Sequence, residues 1–401
     1  MTPSDLAPLD VVIAGAGPAG LACALRLRRR GHGAGVLVVD RARFPRPKVC
    51  GGGLTGRVAE ALRLLGLERR VAAFAALRGE VRYGRFRHGV VLRRPVEIVE
   101  RGDFDADLLA QARAAGVEVR EGEALTDFDV AGGAVTVHTD AATYRARVLV
   151  GADGVGSLVR RRLVEGRPSP IRLVQVEVPA PPASGDAIVF DFTPMRFGLC
   201  GYAWIFPMPG GKLNAGLLHH ARGDHDGLDD IDLGALLRRT LASYGVEASA
   251  PPRSWPLWGY DATQRAAVPH VLLCGDALGV NALSGEGISP ALWQGIMAAD
   301  AAHDGLERGD LGFGDYAGAV RRATVGRDLN LDCRLAAMLY GASGRTRWLP
   351  LLLFDDEMLE LYAARVAGAT ILADEKPKLV KALVRHRFLL PRWRRRLEQE
   401  A

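Results

Sequence analysis

The sequence predicts an α/β protein with a Rossmann-like dinucleotide-binding domain, an inserted and mainly antiparallel β domain, and a C-terminal helical region. Three observations predict this order. Near the start of the chain, an apolar strand runs into a glycine-rich turn and a helix. From about residue 168 to 258, proline and aromatic residues gather among short strands. After about residue 313 the apolar spacing is helical.

The first unit along the chain is a predicted βαβ motif. Its segments are a strand over 10–14 (DVVIA), a helix over 21–30 and a second strand over 36–39 (VLVV) that ends at Asp40. The turn between strand and helix fits GxGxxG and comprises Gly15, Ala16, Gly17, Pro18, Ala19 and Gly20. In this motif the three glycines allow a tight turn, a close approach by pyrophosphate and helix–strand packing. We therefore expect a dinucleotide at this turn, with Asp40 accepting hydrogen bonds from its ribose.

The remaining elements are predicted from the spacing of apolar residues and from the Gly and Pro residues that separate the segments. Helices are expected over 54–70 and 104–115, and strands over 116–120, 135–139, 144–151, 172–178, 187–192 and 270–274. The expected domains are a dinucleotide-binding domain (1–75, 98–165 and 265–312), a substrate-binding β domain (76–97 and 166–264) and a helical region with a basic tail (313–401).

Two later glycine–aspartate segments, 151–154 (GADG) and 275–277 (GDA), each follow a predicted strand. At this point the sequence resembles the flavoproteins built like the aromatic hydroxylases, in which a GD in the last third of the chain contacts the ribityl chain and pyrophosphate of FAD. A carboxylate can accept from ribityl hydroxyls while the following helix N-terminus faces the flavin ring. The resemblance implies FAD, bound in part by Asp153, Gly275 and Asp276.

The segment 45–54 (PRPKVCGGGL) resembles the PxxKxCGGxL signature of the geranylgeranyl reductase family. Residues 201–207 (GYAWIFP) resemble its YxWxFP strand, and 275–288 resemble its GDAxG…GEGI segment, so the likeness covers roughly 10–300. It implies FAD as cofactor and, as in many members, reduction of C=C bonds in polyprenyl chains. NAD(P)H is the expected electron donor, although the sequence contains no second dinucleotide motif. The further residues expected at the cofactor are Arg41, Lys48, Cys50, Gly51, Gly52, Arg101, Leu125, Gly285, Gly287 and Ile288.

Cys50 and Tyr202 are the candidate catalytic residues. Cys50 either protonates the substrate carbon or packs against the flavin, and Tyr202 is the alternative proton source. Because side chains alternate along a strand, Tyr202, Trp204 and Phe206 share one face, which suits a hydrophobic or lipid-like substrate or else an ordinary sheet core. Lys48 either stabilises reduced flavin or is a solvated charge. The alternative functions are an FAD-dependent monooxygenase of a hydrophobic natural product and a flavin-bound protein without turnover.

Charge and cysteine usage exclude several other classes. Residues 376–401 contain nine Lys or Arg and two Glu, a balance of +7 against +6 for the whole chain, so the rest of the chain carries −1 and no nucleic-acid partner is predicted. The tail interleaves basic and apolar residues, so it either lies on an anionic membrane surface or docks on the body as a solvated helix. Five cysteines without a CxxC pair indicate a cytoplasmic protein without a disulfide framework, and no metal site is predicted.

Overall fold

The computed structural model describes residues 9–164, 170–182, 185–221, 231–248 and 250–400. The described strands are β1 Leu9–Ala14, β2 Val36–Asp40, β3 Gly53–Leu54, β4 Ala73–Tyr83, β5 Phe86–Val99, β6 Glu118–Glu121, β7 Leu125–Ala131, β8 Ala134–Thr139, β9 Thr143–Gly151, β10 Pro170–Pro179, β11 Ala187–Asp191, β12 Gly201–Met208, β13 Lys212–His220, β14 Arg253–Trp258, β15 Ala267–Val268 and β16 Val271–Leu273. The described helices are α1 Pro18–Arg29, α2 Gly56–Leu65, α3 Arg101–Ala114, α4 Leu158–Leu163, α5 Leu233–Ala242, α6 Ile288–Arg308, α7 Tyr316–Arg322, α8 Thr324–Tyr340, α9 Gly344–Arg347, α10 Leu349–Phe354, α11 Asp356–Val366 and α12 Lys376–Glu400.

The first sheet has the strand order β15-β16-β9-β1-β2-β6, with β7 and β8 joined to β9 as an antiparallel extension. Strands β16, β9, β1, β2 and β6 run parallel, and their apolar residues are buried on both faces, as parallel sheets require. Ala14 is in register with Val39 and Gly151, and Gly151 with Leu273. The loops that follow these four strands therefore meet at one edge of the sheet.

The second sheet has the order β14-β10-β13-β12-β11-β4-β5-β3 and is antiparallel except where β11 pairs with β4. Side chains of β12 alternate between two cores. Tyr202 and Trp204 pack with the C-terminal helices, and Phe206 packs against the same cluster. Ala203 and Ile205 pack with α5 on the opposite face. Together with the C-terminal helices, this arrangement confirms the predicted fold class, including the shared aromatic face of β12.

Three predicted helices differ in their bounds from the structure. The helix predicted over 21–30 is α1, which begins at Pro18, because proline is tolerated in the first turn of a helix. The helix predicted over 54–70 is α2, which stops at Leu65 because Gly66 takes a left-handed conformation (φ 69°) and closes the helix. The helix predicted over 104–115 begins three residues earlier because the Glu100 side chain accepts from the backbone N–H of Gly102. Within the described residues, no helix is both long and apolar enough to cross a bilayer.

Candidate active site

A cavity of about 540 Å³ lies between the edge of the first sheet where the loops meet and the aromatic face of β12. The predicted site residues that line it are Gly15, Gly17, Pro18, Ala19, Asp40, Arg41, Lys48, Cys50, Gly51, Gly52, Arg101, Leu125, Asp153, Asp276, Tyr202, Trp204, Phe206, Gly285, Gly287 and Ile288. Three others, Ala16, Gly20 and Gly275, lie behind the wall. Their places are set by packing, since a Cβ on Gly20 would lie 1.8 Å from the Gly15 carbonyl oxygen and one on Gly275 would lie 2.6 Å from the Ala19 Cβ.

The glycine-rich turn leaves room for an anion at the start of α1. A Cβ on Gly17 would meet nothing nearer than the Arg46 guanidinium at 3.7 Å, so this glycine faces open cavity. No side chain caps α1, whose first backbone N–H groups lack helical partners at that end. The N-terminus of α6, at Gly287, also lacks a side-chain cap and lines the same cavity. Two positive helix ends therefore face one cavity.

Two carboxylates at the sheet edge are held by backbone N–H groups. Asp40 accepts from Ala16 at 2.7 Å and from Ala42 at 2.8 Å, which fixes it beside the glycine-rich turn. One oxygen of Asp153 accepts from Leu158 at 2.7 Å, at the start of α4. Its other oxygen, Oδ1, is buried without a hydrogen-bond partner among the described residues. Burial also raises the pKa of Asp153. Because buried polar atoms are normally hydrogen-bonded and Asp153 lines the cavity, a ligand in the cavity is the natural donor to this oxygen.

Lys48 and Asp276 face each other across the cavity, with the ammonium nitrogen 3.4 Å from a carboxylate oxygen. The Lys48 ammonium also lies 4.9 Å from the centre of the Trp255 ring. The side chain is only 14% exposed, so Lys48 is a paired charge within the site and not a solvated one.

The loop that carries Cys50 is anchored to the second sheet by two amides that the sequence analysis did not single out. Gln175 on β10 accepts from the backbone N–H of Cys50 at 3.2 Å, and Asn214 on β13 donates to its carbonyl at 2.8 Å. Asn214 also accepts from the Trp204 indole at 2.8 Å, so one amide orients both the loop and the aromatic wall. The sequence does offer one signal for these two amides, because Gln175 and Asn214 are polar residues within otherwise apolar strands, LVQVEV and KLNAGLL.

Arg101 is buried beside Cys50. Its guanidinium donates to Asp105 at 2.9 and 3.0 Å and lies close enough to the Cys50 side chain to interact with it electrostatically. Arg46 approaches the same carboxylate at 3.4 Å. Burial opposes the charge of Arg101, but Asp105 and Cys50 outweigh it and raise the pKa of the guanidinium. A permanent cation is therefore held next to the thiol.

Tyr202 has its hydroxyl proton already engaged. The hydroxyl donates to the Ser284 carbonyl oxygen at 2.5 Å, in the segment that leads to α6. Burial, with smaller contributions from Tyr362 and Cys50, raises the pKa of Tyr202 well above its ordinary value. Both features make Tyr202 a poor proton source, and its hydroxyl ties the aromatic wall to residue 284.

A buried ion cluster behind the cavity fixes the segment 284–288. Arg365 on α11 lies 2.7 Å from Glu286, 3.0 Å from Asp328 and 2.5 Å from Asp332. Burial raises the pKa of Asp332 to about 6, although the neighbouring Arg365 opposes the rise. Val366, the residue after Arg365, lines the cavity, so the C-terminal helices complete the site. The sequence analysis did not predict this contribution.

A family model described as an FAD binding domain matches residues 8–279. A menaquinone reductase of Mycolicibacterium smegmatis is 30% identical over 366 residues, covering 82% of this chain and 84% of the relative. Digeranylgeranylglycerophospholipid reductase 1 of Methanopyrus kandleri is 29% identical, covering 75% of this chain and 82% of the relative.

The chain belongs to the geranylgeranyl reductase family of FAD-dependent oxidoreductases. This confirms the resemblance stated from the motifs at 45–54, 201–207 and 275–288. Solved structures agree in fold: a geranylgeranyl bacteriochlorophyll reductase-like protein from Thermoplasma acidophilum has a TM-score of 0.73 at 18% identity, covering 98% of this chain and 99% of that one. A flavin-dependent halogenase has a TM-score of 0.67 at 23% identity, covering 85% of this chain and 65% of that one.

The residues that line the cavity fit FAD. The open side of Gly17 and the uncapped start of α1 suit a pyrophosphate. The unpartnered oxygen of Asp153 and the carboxylates of Asp40 and Asp276 suit hydroxyl groups of the ribose and ribityl parts. At Gly51, a Cβ would lie 3.1 Å from the Phe206 ring, so the backbone of this loop packs directly on the aromatic wall at the edge of the cavity.

Proposed function

We propose that the protein reduces a C=C bond of a prenyl or other lipid-like substrate, with NAD(P)H as the electron donor. The observation that carries this proposal is the apolar wall opposite the glycine-rich turn. It combines the aromatic face of β12 with aliphatic side chains of neighbouring strands and of α11, namely Val96, Leu173, Ile188, Leu218, Leu257 and Val366. A wall of this kind binds a hydrocarbon by removing it from water. The names of the two relatives, which denote reduction of menaquinone and of digeranylgeranylglycerophospholipid, support the same substrate class.

Reduction of a C=C bond adds two electrons and two protons to the substrate. FAD bound in the cavity and reduced by NAD(P)H would supply the electron pair together with one of those protons, as a hydride, and would return to its oxidised form. The chain must supply the other proton at a wall that excludes water, and the Cys50 thiol is placed to do so. Arg101 then faces the thiolate that remains, so the charge left after proton transfer is paired inside the site. Solvent returns the proton to Cys50 between turnovers.

Cys50→Ser tests this role with rapid mixing of the two half-reactions. A serine hydroxyl fills the thiol's space but is a far weaker acid, so we expect slower substrate reduction at an unchanged rate of flavin reduction by NAD(P)H. Cys333→Ser is the matched control, because Cys333 is a half-buried thiol that does not line the cavity. If Cys50→Ser carries out both half-reactions at the wild-type rates, the proton comes from solvent.

Oxygen dependence separates this proposal from the monooxygenase alternative, which the same fold can also support. A reductase consumes NAD(P)H in proportion to substrate under anaerobic conditions and yields a product two mass units heavier. A monooxygenase yields product only with O₂ and adds one oxygen atom. A prenylated lipid presented in detergent is the probe, and product formation that requires O₂ would contradict the reductase proposal.

The second part of the proposal concerns the basic tail, which is helix α12. One face of α12 docks on the body through Ala382, His386, Trp393 and Leu397, all buried. Arg385 adds a paired contact with Asp355 at 2.6 Å. The opposite face exposes four apolar side chains, at 59% for Val380, 42% for Leu383, 53% for Val384 and 75% for Phe388. One face of α12 is therefore docked on the body, and the other is exposed and apolar, as contact with a membrane would require.

We propose that this exposed apolar face, flanked by the tail's basic residues, lies on an anionic membrane where a lipid-like substrate resides. Truncation of α12 would also remove its docked face and so disturb the packing of the body. Point variants in the exposed face therefore test the idea better. Val384→Ser/Phe388→Ser should weaken binding to anionic vesicles in sedimentation, whereas Val91→Ser, an 80% exposed apolar control on β5, should not. Equal binding by both variants would assign the exposed face no membrane role.

A further inference from the structure

We infer that His32, His303 and Glu307 form a binding site for a divalent ion of the zinc class, at the end of the first sheet opposite the flavin cavity. Their ligand atoms all lie within 4.8 Å of one another. His32 lies in the turn after α1, and His303 and Glu307 are four residues apart on α6. That spacing places the last two side chains on one face of the helix, directed toward the same neighbour.

The two imidazoles are already close to the separation that one ion requires. Nε2 of His32 and Nδ1 of His303 are 2.9 Å apart. Two nitrogen ligands at about 2.0–2.1 Å from a tetrahedral zinc ion are separated by roughly 3.3 Å. The rings meet edge to face, with an interplanar angle of 76°. A shift of a few tenths of an ångström therefore converts this contact into a pair of ligands.

A carboxylate behind His32 orients the ring for this role. Asp10 at the start of β1 lies 3.1 Å from Nδ1 of His32. When Nδ1 carries the proton and donates to Asp10, the lone pair of His32 lies on Nε2, which faces His303. A carboxylate that fixes the tautomer of a ligating imidazole is the usual outer support of a zinc site. Arg147, 3.7 Å from Asp10, steadies that carboxylate in turn.

The set of donor atoms selects the ion and its role. Two imidazoles and one carboxylate suit Zn²⁺ and its neighbours in the first transition series, whereas Ca²⁺ and Mg²⁺ prefer oxygen ligands throughout. In the tautomer that leaves the lone pair of His32 on Nε2, His303 donates to it from Nδ1, and binding of an ion moves this proton from Nδ1 to Nε2 of His303. The fourth position remains for water.

Distance separates this site from the flavin chemistry. Asp10 and Gly15 lie at opposite ends of β1, about 17 Å apart at about 3.3 Å per residue. His303 is fifteen residues beyond Ile288 on α6, or about 22 Å at 1.5 Å per residue. An ion here would join the turn at the end of α1 to α6. Both helices, α1 and α6, begin at the cavity. We therefore assign it a structural role.

Equilibrium dialysis of the FAD-loaded protein against Zn²⁺, followed by metal analysis, tests the site. We expect one Zn²⁺ per chain, a rise in melting temperature with Zn²⁺, and at least a tenfold loss of affinity in His303→Ala and in His32→Gln. Asp10→Asn should lower affinity about 10–100-fold while all three ligands remain. His138→Ala is the control, because His138 is a half-exposed imidazole that also lies beside a carboxylate, Asp129.

Flavin content and the melting temperature without zinc show whether each variant is folded. Failure of the folded wild type to bind Zn²⁺ would overturn the inference, as would equal affinity in His303→Ala, His32→Gln and His138→Ala. In either case the two imidazoles form only a hydrogen bond that ties α6 to the turn after α1.

Discussion

Arg365→Met removes a buried cation that pairs with two buried carboxylates, Asp328 and Asp332, and with the partly buried Glu286. The guanidinium is 5% exposed and lies within 3.0 Å of Glu286, Asp328 and Asp332. Methionine keeps much of the volume but pairs with none of them. Breaking a buried ion pair by removing one partner costs about 3–5 kcal/mol. We expect the free energy of unfolding near neutral pH to fall by about that amount, and FAD to dissociate more readily because Glu286 is released.

Urea unfolding followed by circular dichroism and flavin fluorescence measures both effects. Arg327→Met is the matched control on the neighbouring helix α8, since its ion pair with Asp374 is 43–50% exposed and should contribute at most about 1 kcal/mol. The Arg365→Met deficit should shrink at about pH 5. Without the guanidinium the buried carboxylates bind protons more readily, and protonation relieves their repulsion. A loss no larger than that of Arg327→Met, or one independent of pH, would refute the reasoning.

Three further changes test other parts of the structure. Gly17→Val should yield folded, colourless protein, because a side chain would fill the space next to α1 that suits pyrophosphate; retained FAD absorbance would contradict this. Asn214→Leu should lower the free energy of unfolding by about 2–4 kcal/mol, since it leaves the Trp204 indole and the Cys50 carbonyl buried without partners, and Asn330→Leu, at a partly exposed position of α8, is its control in urea titrations. His220 is held neutral because burial lowers its pKa from 6.5 to about 4, so stability is fully present above pH 6.5 and falls as pH drops toward 4. The loss is about 3 kcal/mol, and His220→Gln should abolish that part of the acid titration.

The cofactor half of the site was predictable from local sequence. A strand, a GxGxxG turn and a helix need few distant contacts to take their geometry, so Gly15, Gly17 and Gly20 indicate their own positions. The same holds for the aromatic face of β12, because the two-residue repeat of a strand assigns Tyr202, Trp204 and Phe206 to one side. Parallel strands then bring Asp40, Asp153 and Asp276 to one edge whatever the loops between them do.

The supports of the site could not be predicted in this way. Gln175 and Asn214 reach the Cys50 loop across 125 and 164 residues of sequence, and Arg365 reaches Glu286 across 79. No periodic pattern encodes such pairs, because each depends on how one sheet packs against helices from another part of the chain. The long hairpin of β4 and β5 was likewise assigned to the β domain without strand bounds.

By itself, the sequence determined the family, the order of the layers, the cofactor class and the residues at the edge of the first sheet, because these follow from short motifs with strict backbone requirements. Only the tertiary structure decided that Arg101 lies beside the Cys50 thiol, that the Tyr202 proton is already engaged and that α12 docks through one face while it exposes another. It also brought His32 to His303. These outcomes depend on distances between segments far apart in sequence, which packing of the two cores fixes and local pattern does not.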